Sequence, residues 1–214
     1  MIIREGYYFA GTFVAIALIV SYFINPYAAI LPVVLAIYCL YFFRNPKRNI
    51  PADESLIVSP ADGTVQDIVH IDNDDFVNCP CYKVIIFLSV FDVHVNRAPI
   101  AGTIKIQKYV CGRFRPAYKD SVGFENERHL IGIDNGKMRV TVTQIAGILA
   151  RRIVSWVTLD DKLSKGDLYG LIRFGSCTEI VVPDSVDIMV HKGQKVRGGE
   201  TIIGKIRKQL TENI

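Results

Sequence analysis

The chain has 214 residues, half of them hydrophobic, and a formal net charge of +4. That length suits one domain of ordinary size plus an appendage. The charge is modest and no basic stripe is interleaved with aromatics, which argues against a nucleic-acid partner and suits an anionic lipid surface.

The apolar excess is concentrated at the start. Tyr7–Ile24 and Tyr27–Phe43 hold no charged residue and are separated by Asn25-Pro26. Each run is about 17 to 18 residues, the lower limit for spanning a hydrocarbon core. Asn-Pro is a turn signal, so the pair predicts a membrane helical hairpin over residues 1–43. Arg4 precedes it, and Arg44, Lys47 and Arg48 follow. Positive charge on both outer flanks places both ends, and the domain beyond, on the cytoplasmic side of the cell membrane. A cleaved signal peptide would need an A-x-A-like site after the first run, and a second apolar run follows instead. With runs this short, and Pro32 inside the second, the hairpin either spans or dips into one leaflet.

Residues 44–53 read as a basic, proline-bearing linker, and residues 54–214 as the main domain. That domain is rich in Val, Ile and Thr, with frequent turn signals. Strands are expected at Thr64–Ile71, Tyr82–Leu88, Gly102–Val110, Arg139–Ile145, Tyr169–Phe174, Glu179–Val182, Asp187–Val190 and Thr201–Lys205, and one helix at Ile148–Val157. The fold class is therefore mainly β, a barrel or sandwich. VSPADGTV (Val58–Val65) and VHKGQKVRGGETIIGK (Val190–Lys205) resemble the hairpin elements of the biotinyl/lipoyl sandwich, with Gly193, Val196, Gly199 and Ile202 at the patterned places. A carrier domain needs a lysine at the hairpin tip, and Pro60-Ala61-Asp62-Gly63 has none.

The five cysteines (Cys39, Cys79, Cys81, Cys111, Cys177) are odd in number, and one lies in an apolar run. This fits a reducing compartment and free thiols. The four histidines show no metal-ligand spacing, so no metal is expected.

Gly175-Ser176 lies between two expected strands and reads first as a turn. Asp62 sits in the turn SPADGT. His94 follows an apolar strand, beside Asp92, Asn96 and Arg97, at a strand end where functional loops concentrate. Asn126–His129 (NERH) reads as a solvated loop. Asp62, His94 and Ser176 could form a nucleophile system, since such constellations recur in many chain orders. Ser176 lacks the G-x-S-x-G elbow, so an ordinary esterase is not expected. A membrane-anchored β-rich serine peptidase and a lipoyl-like membrane adaptor are alternative readings.

Several blocks in order carry a more specific resemblance. FFRNPKR (Phe42–Arg48), SPADGTV (Ser59–Val65), FLSVFDVHVNRAPIAG (Phe87–Gly102), NERH, QIAGILARRIV (Gln144–Val154) and KGDLYGLIRFGSCTEIVVP (Lys165–Pro183) together resemble phosphatidylserine decarboxylase proenzymes of the short bacterial and archaeal type. The resemblance implies cleavage between Gly175 and Ser176, giving a β chain (1–175) and an α chain (176–214) that stay together as a heterodimer, itself able to dimerise. It implies a pyruvoyl group made from Ser176 as the cofactor, with no PLP and no metal. That group would take up the electrons left by loss of CO₂. The substrate would be a phospholipid, phosphatidylserine or archaetidylserine. His94 would be the base, oriented by Asp62, and Arg97, Arg113, Arg115 and Arg151 would be candidates for the lipid phosphate. One departure stands out: many members carry D-x-H-x-x-H here, and Arg97 occupies the second histidine's place.

Overall fold

The computed structural model describes residues 1–112, 126–147, 152–173 and 176–207. They form two compact units, Met1–Lys47 with Phe91–Val93, and Arg48–Val90 with His94–Ile214.

The first unit is a helical hairpin of α1 (Arg4–Phe23) and α2 (Ile30–Phe42). The Asn25 carboxamide accepts from the Tyr27 N–H at 2.7 Å and shapes the turn. The second helix starts later than the apolar run because Ala28 N–H and Ala29 N–H bond back to Asn25 and Pro26. Pro32 falls in the first turn of α2, where its missing N–H costs nothing. Small side chains, Ala10, Ala17, Ala36 and Cys39, are buried between the helices, while Leu18, Ile19, Tyr22 and Leu31 stay exposed. Apolar surface on this scale marks a partner or a membrane. At 1.5 Å per residue α1 is about 30 Å long, enough to cross a bilayer, and α2 about 20 Å. The two ends of the hairpin are joined: Ile2 bridges Arg44, and Ile3 N–H donates to Phe43 O at 3.0 Å. They therefore lie next to each other at one end of the hairpin.

Among the described residues, the regular structure of the second unit is all strand. In chain order these are β1 (Leu56–Val58), β2 (Gly63–Ile71), β3 (Cys81–Leu88), β4 (Val95–Arg97), β5 (Gly102–Val110), β6 (Arg128–Asp134) and β7 (Arg139–Ala146). Then come β8 (Ile153–Ser155), β9 (Lys162–Leu163), β10 (Leu168–Ile172), β11 (Ser176–Pro183), β12 (Val186–Ile188), β13 (Lys195–Val196) and β14 (Ile202–Ile206). Eight form one curled antiparallel sheet in the order β13-β2-β3-β11-β7-β6-β5-β9. Register shifts between Val65 and Asp67 and between Ile104 and Ile106 help it curl, as bulges do. Two small sheets, β1-β14-β12 and β4-β10-β8, complete the unit.

Alternation fills the concave face. Val84, Ile86 and Leu88 of β3, Ile180 and Val182 of β11, Val140 and Val142 of β7, and Ile131 and Ile133 of β6 share one buried core. The two segments that echo each other in sequence do meet. Lys195 and Val196 pair with Thr64 and Gly63, and Gly193 and Gly199 take left-handed conformations (φ 85° and 80°).

The structure corrects two expectations of secondary structure. Ile148–Val157 is not a helix where described: Ile153–Ser155 is β8, paired with β10, because the β-branched Ile153 and Val154 fit a pleat better than a helical turn. Residues 148–151 lie outside the described residues. Ser176 is not in a turn but opens β11, held between β3 and β7 from its first residue.

Candidate active site

The inner face of the sheet changes character along its length. Ile180, Val142 and Ile131 lie side by side on β11, β7 and β6 and are apolar. Two residues further along, Thr178, Gln144 and His129 form a buried polar row. Two further still, Ser176 faces Ala146 on β7 and Leu88 on β3.

Ser176 is fully buried, and its Oγ has no hydrogen-bond partner among the described residues. An unpaired buried hydroxyl costs on the order of 1–3 kcal/mol, so its presence calls for an explanation. His94 is also fully buried, just before β4, and its carbonyl accepts from Ile172 N–H at 3.2 Å. Ile172 ends β10, four residues ahead of Ser176. Topology thus brings the His94 segment to the same end of the fold as Ser176.

Asp62 lies in the turn leading into β2. Its carboxylate accepts from Arg48 Nη2 at 2.9 and 2.7 Å and from Gly198 N–H at 2.8 Å. Arg48 also reaches Glu200 at 3.4 Å, and Glu200 accepts from Asn49 N–H at 2.9 Å. That backbone bond, helped by Arg48, holds the Glu200 carboxyl below its ordinary pKa. Arg48, counted in sequence as a membrane-flanking charge, is therefore a nearly buried ion-pair partner of the domain. Arg97 donates to Gly166 O at 2.9 Å, and burial, then the neighbouring Arg48 charge, lowers its pKa. Gly175, Arg113, Arg115 and Arg151 lie outside the described residues.

The NERH segment is not a solvated loop. Asn126 donates to Ala146 O at 2.7 Å, the Glu127 carboxylate accepts from Ile153 N–H at 3.3 Å, and His129 is buried. Its polar groups are satisfied by distant strands, which composition alone does not reveal. His129 Nδ1–H donates to Gln144 Oε1 (3.1 Å), leaving Nε2 to accept from Gln107 Nε2 (3.0 Å). A neutral ring serves both bonds. Gln144 Nε2 then donates to Asn96 Oδ1 at 2.7 Å, and Asn96 Nδ2 to Thr178 Oγ1 at 3.2 Å. Sequence reading missed Gln107, Gln144 and Thr178, took Arg48 for a membrane flank, and noted Asn96 only as a polar neighbour of His94. The available signal was polar residues at inward positions of otherwise alternating strands.

Two expected results follow from this network. Burial lowers the His129 pKa from its ordinary 6.5. The unfolded chain thus binds a proton that the folded chain resists, so this group's contribution is complete above about pH 6.5 and declines as pH falls below it. Urea unfolding across pH should show that acid slope, and the non-titrating His129→Gln should flatten it. Separately, a Cβ on Gly170 would sit 2.6 Å from Val154 O and 3.0 Å from Gln144 Nε2. Gly170→Ala should cost about 1–3 kcal/mol, read as a lower urea midpoint.

A cleft of about 850 Å³ opens near Gly102, Asp134 and Lys162. It lies at the Asp134 end of β6, about 20 Å along the strand from the Arg128 end that faces the Ser176 side. Lys105 and Lys137 there are paired with Asp160 and Glu54. It is not where the buried polar groups converge.

Residues 35–204 match the family model for phosphatidylserine decarboxylase. The chain belongs to the phosphatidylserine decarboxylase family. It is 45% identical over 205 residues to a phosphatidylserine decarboxylase proenzyme of Carboxydothermus hydrogenoformans, covering 95% of this chain and 96% of that protein. A proenzyme of the same name from Symbiobacterium thermophilum is 44% identical over 207 residues, 96% of each chain. One from Syntrophus aciditrophicus is 42% identical over 209 residues, 95% of this chain and 96% of that one. Membership makes the chain an enzyme of a decarboxylase family.

Proposed function

We propose that this chain is a membrane-bound, self-processing proenzyme that matures into a pyruvoyl-dependent decarboxylase of phosphatidylserine, or of archaetidylserine, which carries the same headgroup. The observation that carries the reading is the buried Ser176 hydroxyl without a partner at the head of a central strand.

A hydroxyl is a weak nucleophile at neutral pH and needs a base. His94 takes that part, with Asp62 as its orienting acid. Ser176 Oγ attacks the Gly175 carbonyl carbon, the peptide C–N bond breaks, and an ester forms as His94 passes the hydroxyl proton to the freed amine. Loss of the Ser176 Cα proton then expels Gly175 as a carboxylate and leaves dehydroalanine. Addition of water and release of ammonia convert this into a pyruvoyl group at position 176. The residues fit the group: it arises from a serine already shielded from bulk water, which limits competing hydrolysis of the ester.

Once formed, the pyruvoyl carbonyl supplies an electron sink for loss of CO₂, as PLP does elsewhere. His94 holds the proton to be delivered to the substrate Cα. Arg97, Arg113, Arg115 and Arg151 are the candidates for the lipid phosphate. The hairpin holds the enzyme at the membrane that contains its substrate. Its basic flanks Arg4, Arg44 and Lys47 favour the cytoplasmic face of the cell membrane. The α and β chains remain associated as a heterodimer.

The test is intact-mass analysis of the purified chain together with release of labelled CO₂ from vesicles containing carboxyl-labelled phosphatidylserine. The expected result is two fragments, 1–175 and 176–214, the smaller blocked to Edman sequencing, and CO₂ release. A folded, membrane-bound chain that stays whole and releases no CO₂ would sink the reading, and peptide hydrolysis by that intact chain would favour a serine peptidase.

A further inference from the structure

We propose that Asn96 is a positioning residue of the reaction centre: tied to Gln144 on one side and to Thr178 on the other, it fixes the segment carrying His94 against the start of β11. The inference rests on the self-processing reading and adds the device that sets the base against the nucleophile.

Three observations carry it. First, His94 directly precedes β4 and its carbonyl carries the β4–β10 bonding one step further through Ile172 N–H, so it lies two residues from Asn96 along the same run, and Ser176 and Thr178 are two residues apart on β11. In extended chain such pairs share a face. A bond between Asn96 and Thr178 therefore sets where His94 lies relative to Ser176. Second, Asn96 is fully buried and held from more than one direction. Its Oδ1 accepts from Gln144 Nε2 at 2.7 Å, and its Nδ2 is 3.2 Å from Thr178 Oγ1 and 3.4 Å from Pro60 O. Pro60 is two residues before Asp62, so the same amide touches the turn that carries the acid. Third, the support behind it is braced. Gln144 is fixed by His129, His129 by Gln107, and Gln107 Nε2 donates to Val157 O at 3.0 Å.

The chain has a polarity. Each group presents an N–H to an acceptor on the next, so with its Oδ1 taken by Gln144, Asn96 aims a donor, not an acceptor, at Thr178. The backbone clamps the other side of the same segment, through His94 O to Ile172 N–H and the pairing of Val95 with Leu171. The base is thus bracketed between β10 and β11. A wholly buried polar network of this kind trades some stability for a single arrangement. The arrangement selected is the one the proposed chemistry needs.

The experiment follows self-cleavage of the freshly made full-length chain by gel and intact mass in wild type, Thr178→Val, Thr178→Ser and Gln144→Met. Thr178→Val keeps the shape of the side chain and removes the hydroxyl; it should slow cleavage about tenfold. Thr178→Ser restores the hydroxyl and should cleave within about twofold of wild type. Gln144→Met removes the brace and should slow cleavage as Thr178→Val does, which keeps the idea testable if either variant folds poorly. Circular dichroism of each uncleaved variant checks the fold. Wild-type speed in folded Thr178→Val, or equal slowing in Thr178→Ser and Thr178→Val, overturns the positioning role while leaving self-processing intact. A folded wild type that remains whole overturns both.

Discussion

Ser176→Ala should remain one chain indefinitely and show no decarboxylation above background, a loss of at least about 10⁶-fold. Two separate functions vanish with one oxygen. The variant has no nucleophile for the Gly175 carbonyl, and alanine cannot be converted to a pyruvoyl group. Folding should survive, because the hydroxyl has no hydrogen-bond partner to lose among the described residues. Removing an unpaired buried hydroxyl is neutral to stabilising, so the thermal midpoint of Ser176→Ala should equal or exceed that of an uncleaved reference. A destabilised Ser176→Ala would mean that the hydroxyl makes a bond the structure does not show. A cleaved one would mean that the break occurs elsewhere. Mass spectrometry and calorimetry on one preparation answer both points.

His94→Gln should slow self-cleavage by about 10²- to 10⁴-fold, the range expected for loss of a general base. Glutamine keeps hydrogen-bonding capacity in a fully buried position, so the comparison tests proton transfer more than packing. The variant also separates two duties. In the proposed reaction, with Arg97 in the place of a second histidine, His94 would serve both cleavage and turnover. Any His94→Gln chain that does mature should then be defective in CO₂ release as well, with kcat reduced more than KM is raised. A matured variant with normal turnover would assign reprotonation to another group.

Much of the fold was legible because its strands are runs rich in Val, Ile and Thr set between turn residues. The limits of Gly102–Val110 are those read from the sequence, and Cys81–Leu88 differs by one residue. The apolar hairpin was legible for a similar reason: two uncharged runs flank a turn dipeptide. What was not legible depends on register between strands far apart in sequence. NERH looks solvated until Ala146 and Ile153 supply its partners. Gly-Ser looks like a turn until β3 and β7 are seen on either side of Ser176. Arg48 looks like a membrane flank until Asp62 closes on it. Of the proposed site, residue types with reactive groups could be singled out one at a time, while the amides Asn96, Gln107 and Gln144 look like ordinary strand residues.

The position of β11 has a consequence for the life of the molecule. It lies in the interior of the large sheet, with β3 and β7 bonded along it, and the segment beyond it adds β12 and β14 to one small sheet and β13 to the edge of the large one. A cut before Ser176 therefore severs no surface tail; it frees the end of a strand already woven into the middle of a finished fabric. If the proposed cut is made, the order of events is forced: the chain must fold whole and be cut afterwards. The proposed mature enzyme would then be a one-way product. Unfolded by urea and diluted, it has to find its small fragment by collision, so recovery should rise with protein concentration, whereas uncut Ser176→Ala should refold at any dilution.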